Sequence, residues 1–312
     1  KVIGNKCPFG NATQQRNDWI NIRGNDSRFE NNEMFGKNGI GNMILIGSGA
    51  TVVKGTKILN NHLHHQSGGV SSASCEMIRI GASDVAAVEF GTEVAGNIIE
   101  DYTAADTELI TVKSSKNDIH DNVFRNNKAA PTFRHGRLNK FRRNFCFGSG
   151  LRIYGRGHEV TENQFIRNPL SQLRQVVIGN AKYAEEEQNT EASYTQVRDL
   201  IFHHNIIAGE DSSQEILFCW GYGSYNLKPI SNQVIENIIM GDTGTLAETK
   251  DGATWSNNSV SNNIMWGNGR LGNMPAKVTD PMVVKKADGS YGFRLPPVYW
   301  PQSARVLTPA DV

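Results

Sequence analysis

Residues 121–147 read DNVFRNNKAAPTFRHGRLNKFRRNFCF. One short phrase occurs twice in them, at Asn122 and Asn144: an asparagine, a polar residue just before it, and apolar residues just after. The phrase recurs outward in both directions as NNEMF (Asn32), NNHL (Asn61), GNIIE (Asn97), ENQFI (Asn163), HNIIAG (Asn205), ENIIMG (Asn237) and NNIMWG (Asn263). Its spacing varies from 19 to 42 residues. A repeat that keeps its corner but varies its length predicts a right-handed, single-stranded parallel β-helix, in which short strands and one tight turn recur while loops of differing length bulge elsewhere. Asparagine suits the turn, because it tolerates left-handed backbone and its amide bonds neighbouring backbone, coil to coil in a stack. A β-sandwich or propeller also uses Asn and Gly turns, but propeller blades keep a tighter period.

The composition agrees with an all-β chain. Of 312 residues, 38% are hydrophobic and 20% charged, with 31 glycines, 10 prolines and no sustained helical periodicity. No run is long and apolar enough to span a membrane, and KVIGNKCPFG at the start has no signal-peptide core. The four cysteines, Cys7, Cys75, Cys146 and Cys219, form no CxxC pair, so buried free thiols are expected rather than a zinc site or a disulfide framework. The β-helix is expected over 1–275, with a tail over 276–312, including PPVYWPQ, packed along its outside. The segment SQLRQVVIGNAKYAEEEQNTEASYTQ breaks the rhythm, and its EEE run reads as a solvated loop. Because the chain opens on the coil-like KVIGNK without a capping helix, further N-terminal coils are expected to precede it.

Net charge is +1, but Lys and Arg crowd between Thr111 and His158, against Asp118 and Asp121 as the acids there. That basic segment points to a polyanionic partner. Residues one coil apart lie about 4.8 Å from each other up a sheet. Lys113 of ITVKSS and Arg134 of TFRHG therefore fall on adjacent coils, with Arg152 and Tyr154 of GLRIYG one further. His135 alternates with Arg134 and should face the other way. Asp106 and Glu108 share a strand face at i and i+2, a pairing that suits a hard cation such as calcium. Taken singly, each of these reads as well as a solvated charge, a strand-edge acid or a structural histidine.

The run EMIRIGAS, VEF, GNIIED, DTELITVKSS, NVFRNN, TFRHG and GLRIYGRGHEVTENQF resembles polysaccharide lyase family 6, the β-helical group of alginate lyases and chondroitinase B. The resemblance covers residues 18 to 270 and is densest over 76 to 168. It implies that Lys113 matches the catalytic base and Arg134 the catalytic acid, and that Asp106 and Glu108 match calcium-holding carboxylates. It also implies substrate contacts from His135, Arg152, Tyr154, Arg156 and Lys116. The sequence departs from the family where an asparagine ligand is expected: SSASCE places Ala73 or Ser74 there, with Glu76 as a substitute. Strict alternation would also put Glu108 and Lys113 on opposite faces, so a bend between them is required.

The chemistry implied is removal of the C5 proton of a uronate and expulsion of the 4-O-linked sugar. A lysine serves as base if its pKa is lowered, as neighbouring cations do. A guanidinium keeps its proton, so Arg134 either donates or stabilises the leaving oxygen while water, His135 or Tyr154 delivers the proton. The expected protein is a secreted or periplasmic lyase of an anionic polysaccharide, alginate first and dermatan sulfate second. A non-catalytic glycan-binding β-helix is the competing class. Neither a nucleic-acid motif nor an aromatic stacking series is present, and no membrane partner is expected.

Overall fold

The computed structural model describes residues 17–69, 75–167, 175–185, 194–209, 216–221, 224–250, 254–287, 289 and 291–293. Among them the chain forms three parallel sheets of ten, nine and ten strands. Each coil gives one strand to each sheet, except the last described, which gives none to the second. The coil of Glu108–Lys113, Asp118–His120 and Val123–Arg125 is followed by Ala130–His135, Lys140–Arg142 and Phe145–Phe147, and then by Leu151–Ile153, Glu159–Thr161 and Gln164–Ile166. Equivalent strands pair in parallel from coil to coil, so the fold is the parallel β-helix that the asparagine repeat predicts.

Period-two alternation puts one side chain of each three-residue strand inside. Ile119, Phe141, Val160 and Phe202 pair up the second sheet, and Phe124, Cys146, Phe165 and Ile207 up the third. All are buried in one core. Phe141 stacks against Phe124 at 5.8 Å and Phe165 at 6.1 Å between centroids, which locks the register of three coils. Burying each such ring contributes about 1.5–3 kcal/mol.

All nine repeat asparagines stand at one corner, where the second sheet hands over to the third. Asn32 opens the ladder as a donor, and from Asn61 through Asn97, Asn122, Asn144, Asn163, Asn205 and Asn237 to Asn263 each side-chain oxygen accepts hydrogen bonds from the backbone N–H and side-chain amide of the asparagine one coil earlier. The left-handed residue is not the repeat asparagine but the one before it, as at Asn60, Gly96, Asp121, Arg143, Glu162 and Glu236. The asparagine is therefore retained for its amide, which satisfies corner backbone that no strand can reach. A second ladder runs through Asn117 and Asn139, where His158 Nδ1 takes the place of an asparagine oxygen.

Folding disperses the basic segment. Arg125 pairs with Glu100, Arg142 with Asp118, Arg143 with Asp121, Lys140 with Glu159, Lys116 with Glu89 and Arg156 with Glu185. Nor is the rhythm-breaking segment all loop: Val176–Gly179 is a strand of the first sheet, and Glu185 of the acidic run is ion-paired to Arg156 and Arg198. Stacking continues to a short strand, Lys277–Val278, two residues past the boundary expected at 275. Beyond it a hairpin of Val283–Lys285 and Tyr291–Phe293 lies against the outside of the third sheet, where the Gln164 side chain exchanges two hydrogen bonds with the Tyr291 backbone. PPVYWPQ and the KVIGNK start lie outside the described residues. Cys75, Cys146 and Cys219 are buried free thiols, and among the described residues no helix is long and apolar enough to cross a membrane.

Candidate active site

The outer face of the first sheet carries the candidate chemistry. Arg79, Thr111, Thr132 and Arg152 face each other across four successive rungs, while Ile78, Ile80, Ile110, Val112, Phe133, Leu151 and Ile153 fill the core behind them. The bend that joins Glu108 to this face is a β-bulge. Between Glu108 and Thr111 the strand Glu108–Lys113 has one residue more than its partner, and Leu109 and Ile110 both enter the core. Glu108, Thr111 and Lys113 then emerge on one side, and the Thr111 hydroxyl donates to Glu108 Oε2 at 2.7 Å.

A second register shift follows: Val112 pairs with Phe133 but Lys113 with His135, so Arg134 is the extra residue. It projects outward and donates from Nη1 to Glu108 Oε1 at 2.9 Å. Arg152 Nη1 approaches the same oxygen at 3.7 Å. Gly136 lets the chain leave this bulge: its φ is +92°, and a Cβ there would lie 2.0 Å from the Ser114 carbonyl oxygen.

These placements set the protonation states. Burial, then the Arg79 and Arg134 charges, lower the Lys113 pKa to about 8, against an upward pull from Glu108 and Glu76. Among the described residues, Lys113 Nζ has neither a hydrogen bond nor an ion pair. Burial opposes ionisation of Glu108, but Arg134, Arg152 and Lys113 outweigh it and hold the carboxyl below its usual range. His135 is fully buried, with Nε2 3.3 Å from the Ser83 hydroxyl, and burial plus the Arg134 and Lys113 charges drive its pKa down to about 3. It is a neutral imidazole at neutral pH.

The expected substrate contacts divide. Arg152 lies in the cluster, donating to the Tyr194 hydroxyl at 3.1 Å. Tyr154 is wholly buried, stacked beneath Tyr194 with centroids 3.8 Å apart, so the exposed contact expected of it is not available. Lys116 and Arg156 pair with Glu89 and Glu185 rather than with Glu108. Sequence reading missed Arg79 and Tyr194. The alternation of IRIG gives Arg79 its outward position, whereas Tyr194 lies in the segment that breaks the repeat and carries no periodic signal. Its ring lies 5.5 Å from the Arg134 guanidinium carbon.

The carboxylates fit calcium poorly in this arrangement. Glu76, Asp106 and Glu108 do not bring one oxygen each within 4.8 Å of one another. Both Glu108 oxygens are engaged by Arg134 and Thr111, and Asp106 Oδ1 accepts from the Glu108 N–H at 3.1 Å. Burial, then their neighbours' negative charge, raises the pKa of both Glu76 and Asp106. Ala73 and Ser74 lie outside the described residues.

The chain matches the chondroitinase B family over residues 7–274 and belongs to that family. None of the curated proteins compared with it matches. Among solved structures it is similar to a mannuronic acid specific polysaccharide family 6 lyase from human gut microbiota (TM-score 0.69, 20% identity, covering 80% of this chain and 56% of that one). It is similar also to the family 6 alginate lyase AlyGC (0.70, 21%, 90% and 39%) and to a family 6 alginate lyase in complex with a trisaccharide (0.69, 16%, 90% and 65%). The chain thus spans less than two thirds of the length of each of these structures.

Proposed function

We propose that this protein is a polysaccharide lyase that cleaves 4-O-linked uronate polymers by β-elimination, with alginate as substrate. The observation that carries the reading is the placement of Lys113: a buried lysine without an ion pair among the described residues, on the same outer face as Arg79, Arg134 and Arg152, where burial and the Arg79 and Arg134 charges lower its pKa to about 8. In the elimination Lys113 Nζ takes the C5 proton, the C5–H electron pair forms the C4=C5 bond, and the C4–O bond breaks toward the leaving oxygen. The guanidinium groups stabilise the charge that builds on the uronate carboxylate and on that oxygen. His135, held neutral, and Tyr154, enclosed, are poorly suited to donate a proton, which leaves water to protonate the leaving group.

Family membership and the oligosaccharide complex of a similar lyase support a polysaccharide substrate. The elimination is read without calcium, since the arginines supply the positive charge. The site of action is read as secreted or periplasmic, where an extracellular polysaccharide or its fragments are met.

The test is absorbance of the conjugated unsaturated uronate on mixing with alginate, polymannuronate, polyguluronate and dermatan sulfate. Alginate should give a rise that Lys113→Ala lowers by roughly a hundredfold to ten-thousandfold in kcat/KM. A rise with dermatan sulfate alone would move the substrate to that polymer. Binding without any rise would identify a glycan-binding β-helix instead.

A further inference from the structure

The third sheet, which carries none of this machinery, has a histidine cluster near the described N-terminal end of the stack. Glu33 lies on Glu33–Phe35, and His62 and His64 lie on the next rung, His62–His64. Glu33 pairs with His62 across the rungs, while Met34 and Leu63 point into the core, so all three ligand types stand on the outer face. Each offers one ligand atom, and these atoms lie within 4.8 Å of one another, which no other group of three His, Cys, Asp or Glu achieves among the described residues.

The surroundings orient both rings. His62 Nε2 lies 2.6 Å from Glu100 Oε1, and Glu100 is itself held by Arg125. His64 Nδ1 lies 2.6 Å from His65 Nδ1, and its Nε2 is buried without a hydrogen bond, 3.5 Å from Glu33 Oε1. The two rings stack at 4.1 Å, and Phe35 stacks on the far side of His64 at 5.0 Å. A histidine that gives one ring nitrogen to a carboxylate and keeps the other free is the usual support of a metal ligand.

We infer that Glu33, His62 and His64 form a binding site for a zinc-class divalent cation that joins two successive coils. His62 would ligate through Nδ1, His64 through Nε2 and Glu33 through its carboxylate, a His₂Glu set with the fourth position left to water. Cysteine spacing, which indicates no zinc site in this chain, does not bear on a site made of imidazole and carboxylate. The cation is structural and independent of the lyase reading, because its ligands share no residue with the first sheet.

The test uses the 312-residue chain without a histidine tag, stripped with chelator and titrated calorimetrically with zinc chloride. One equivalent of zinc should bind and raise the Tm. Both effects should be lost in His64→Ala and weakened at least tenfold in Glu33→Gln, but kept in His203→Ala, which removes a histidine from the unrelated His203–His204 pair. Glu100→Gln should weaken binding about 10–100-fold. Cobalt(II) titration of the unaltered chain gives a readout that needs no variant: a visible absorption band of an imidazole- and carboxylate-bound ion is expected. No zinc binding, no cobalt band, or binding unchanged in His64→Ala and Glu33→Gln would overturn the site.

Discussion

Arg134 Nη1 donates to Glu108 Oε1 at 2.9 Å, and the two meet because each strand carries a bulge: an extra residue after Glu108 in one, and Arg134 itself in the other. In a regular ladder they would not share a face with Lys113. The pair therefore tunes the base as well as binding charge, since Arg134 lowers the Lys113 pKa and Glu108 raises it.

Opposite shifts of the pH profile should follow. Lys113 acts as base in its neutral form, so kcat/KM should rise with pH through about 8 and level off above. Glu108→Gln removes the upward pull and should move this limb to lower pH; Arg134→Gln should move it higher. Arg134→Gln should also reduce kcat/KM by roughly a hundredfold to a thousandfold. Steady-state kinetics across pH 6–10, a window of about two units either side of the limb, would check both directions.

Removal of calcium should leave turnover unchanged. Glu108 is committed to Arg134 and Thr111, and the three expected ligands do not converge. Initial rates with a calcium-selective chelator should equal those with added calcium; a chelator-dependent loss restored by calcium would refute the arginine-only account.

Asn144→Ala should destabilise the fold by on the order of 3 kcal/mol. Asn144 Oδ1 accepts from two buried donors of Asn122, and Asn144 Nδ2 donates to the Ile119 carbonyl and Asn163 Oδ1, all buried. Chemical denaturation monitored by circular dichroism measures the loss. Arg143→Gly, at the left-handed position beside it (φ 51°), should cost far less than Asn144→Ala, because glycine relieves the backbone while only a partly exposed pair with Asp121 is lost.

Tyr194→Ala should raise KM several-fold with a smaller effect on kcat. Tyr194 covers Tyr154, accepts from Arg152 and flanks Arg134, so it shapes the face without reaching the base. Tyr194→Phe, which keeps the stack and removes the Arg152 bond, should lie between the two. Steady-state kinetics on alginate separates the parameters.

The fold was legible because it is written in repeats. Nine asparagines followed by apolar residues require a corner whose amides bond along the stack, and the inward residues of three-residue strands are apolar by simple alternation. The separation of Lys113 from Arg134 likewise placed them on adjacent rungs, since stacking converts sequence distance into height. What the sequence could not determine depends on departures from regularity. The bulges at Leu109–Ile110 and Arg134 decide which side chains share a face, yet a bulge has no periodic signature. The pairing of Arg125, Lys140, Arg142 and Arg143 with acids on neighbouring coils dissolved a charge cluster that is dense along the chain, because consecutive residues of a coil face three different sheets. Tyr194 reaches the site from the segment that breaks the asparagine repeat, so no periodic signal places it. The local pattern fixed the coil, and contacts between coils fixed the chemistry, because a β-helix brings together residues that are one turn apart in space at whatever distance they stand in sequence.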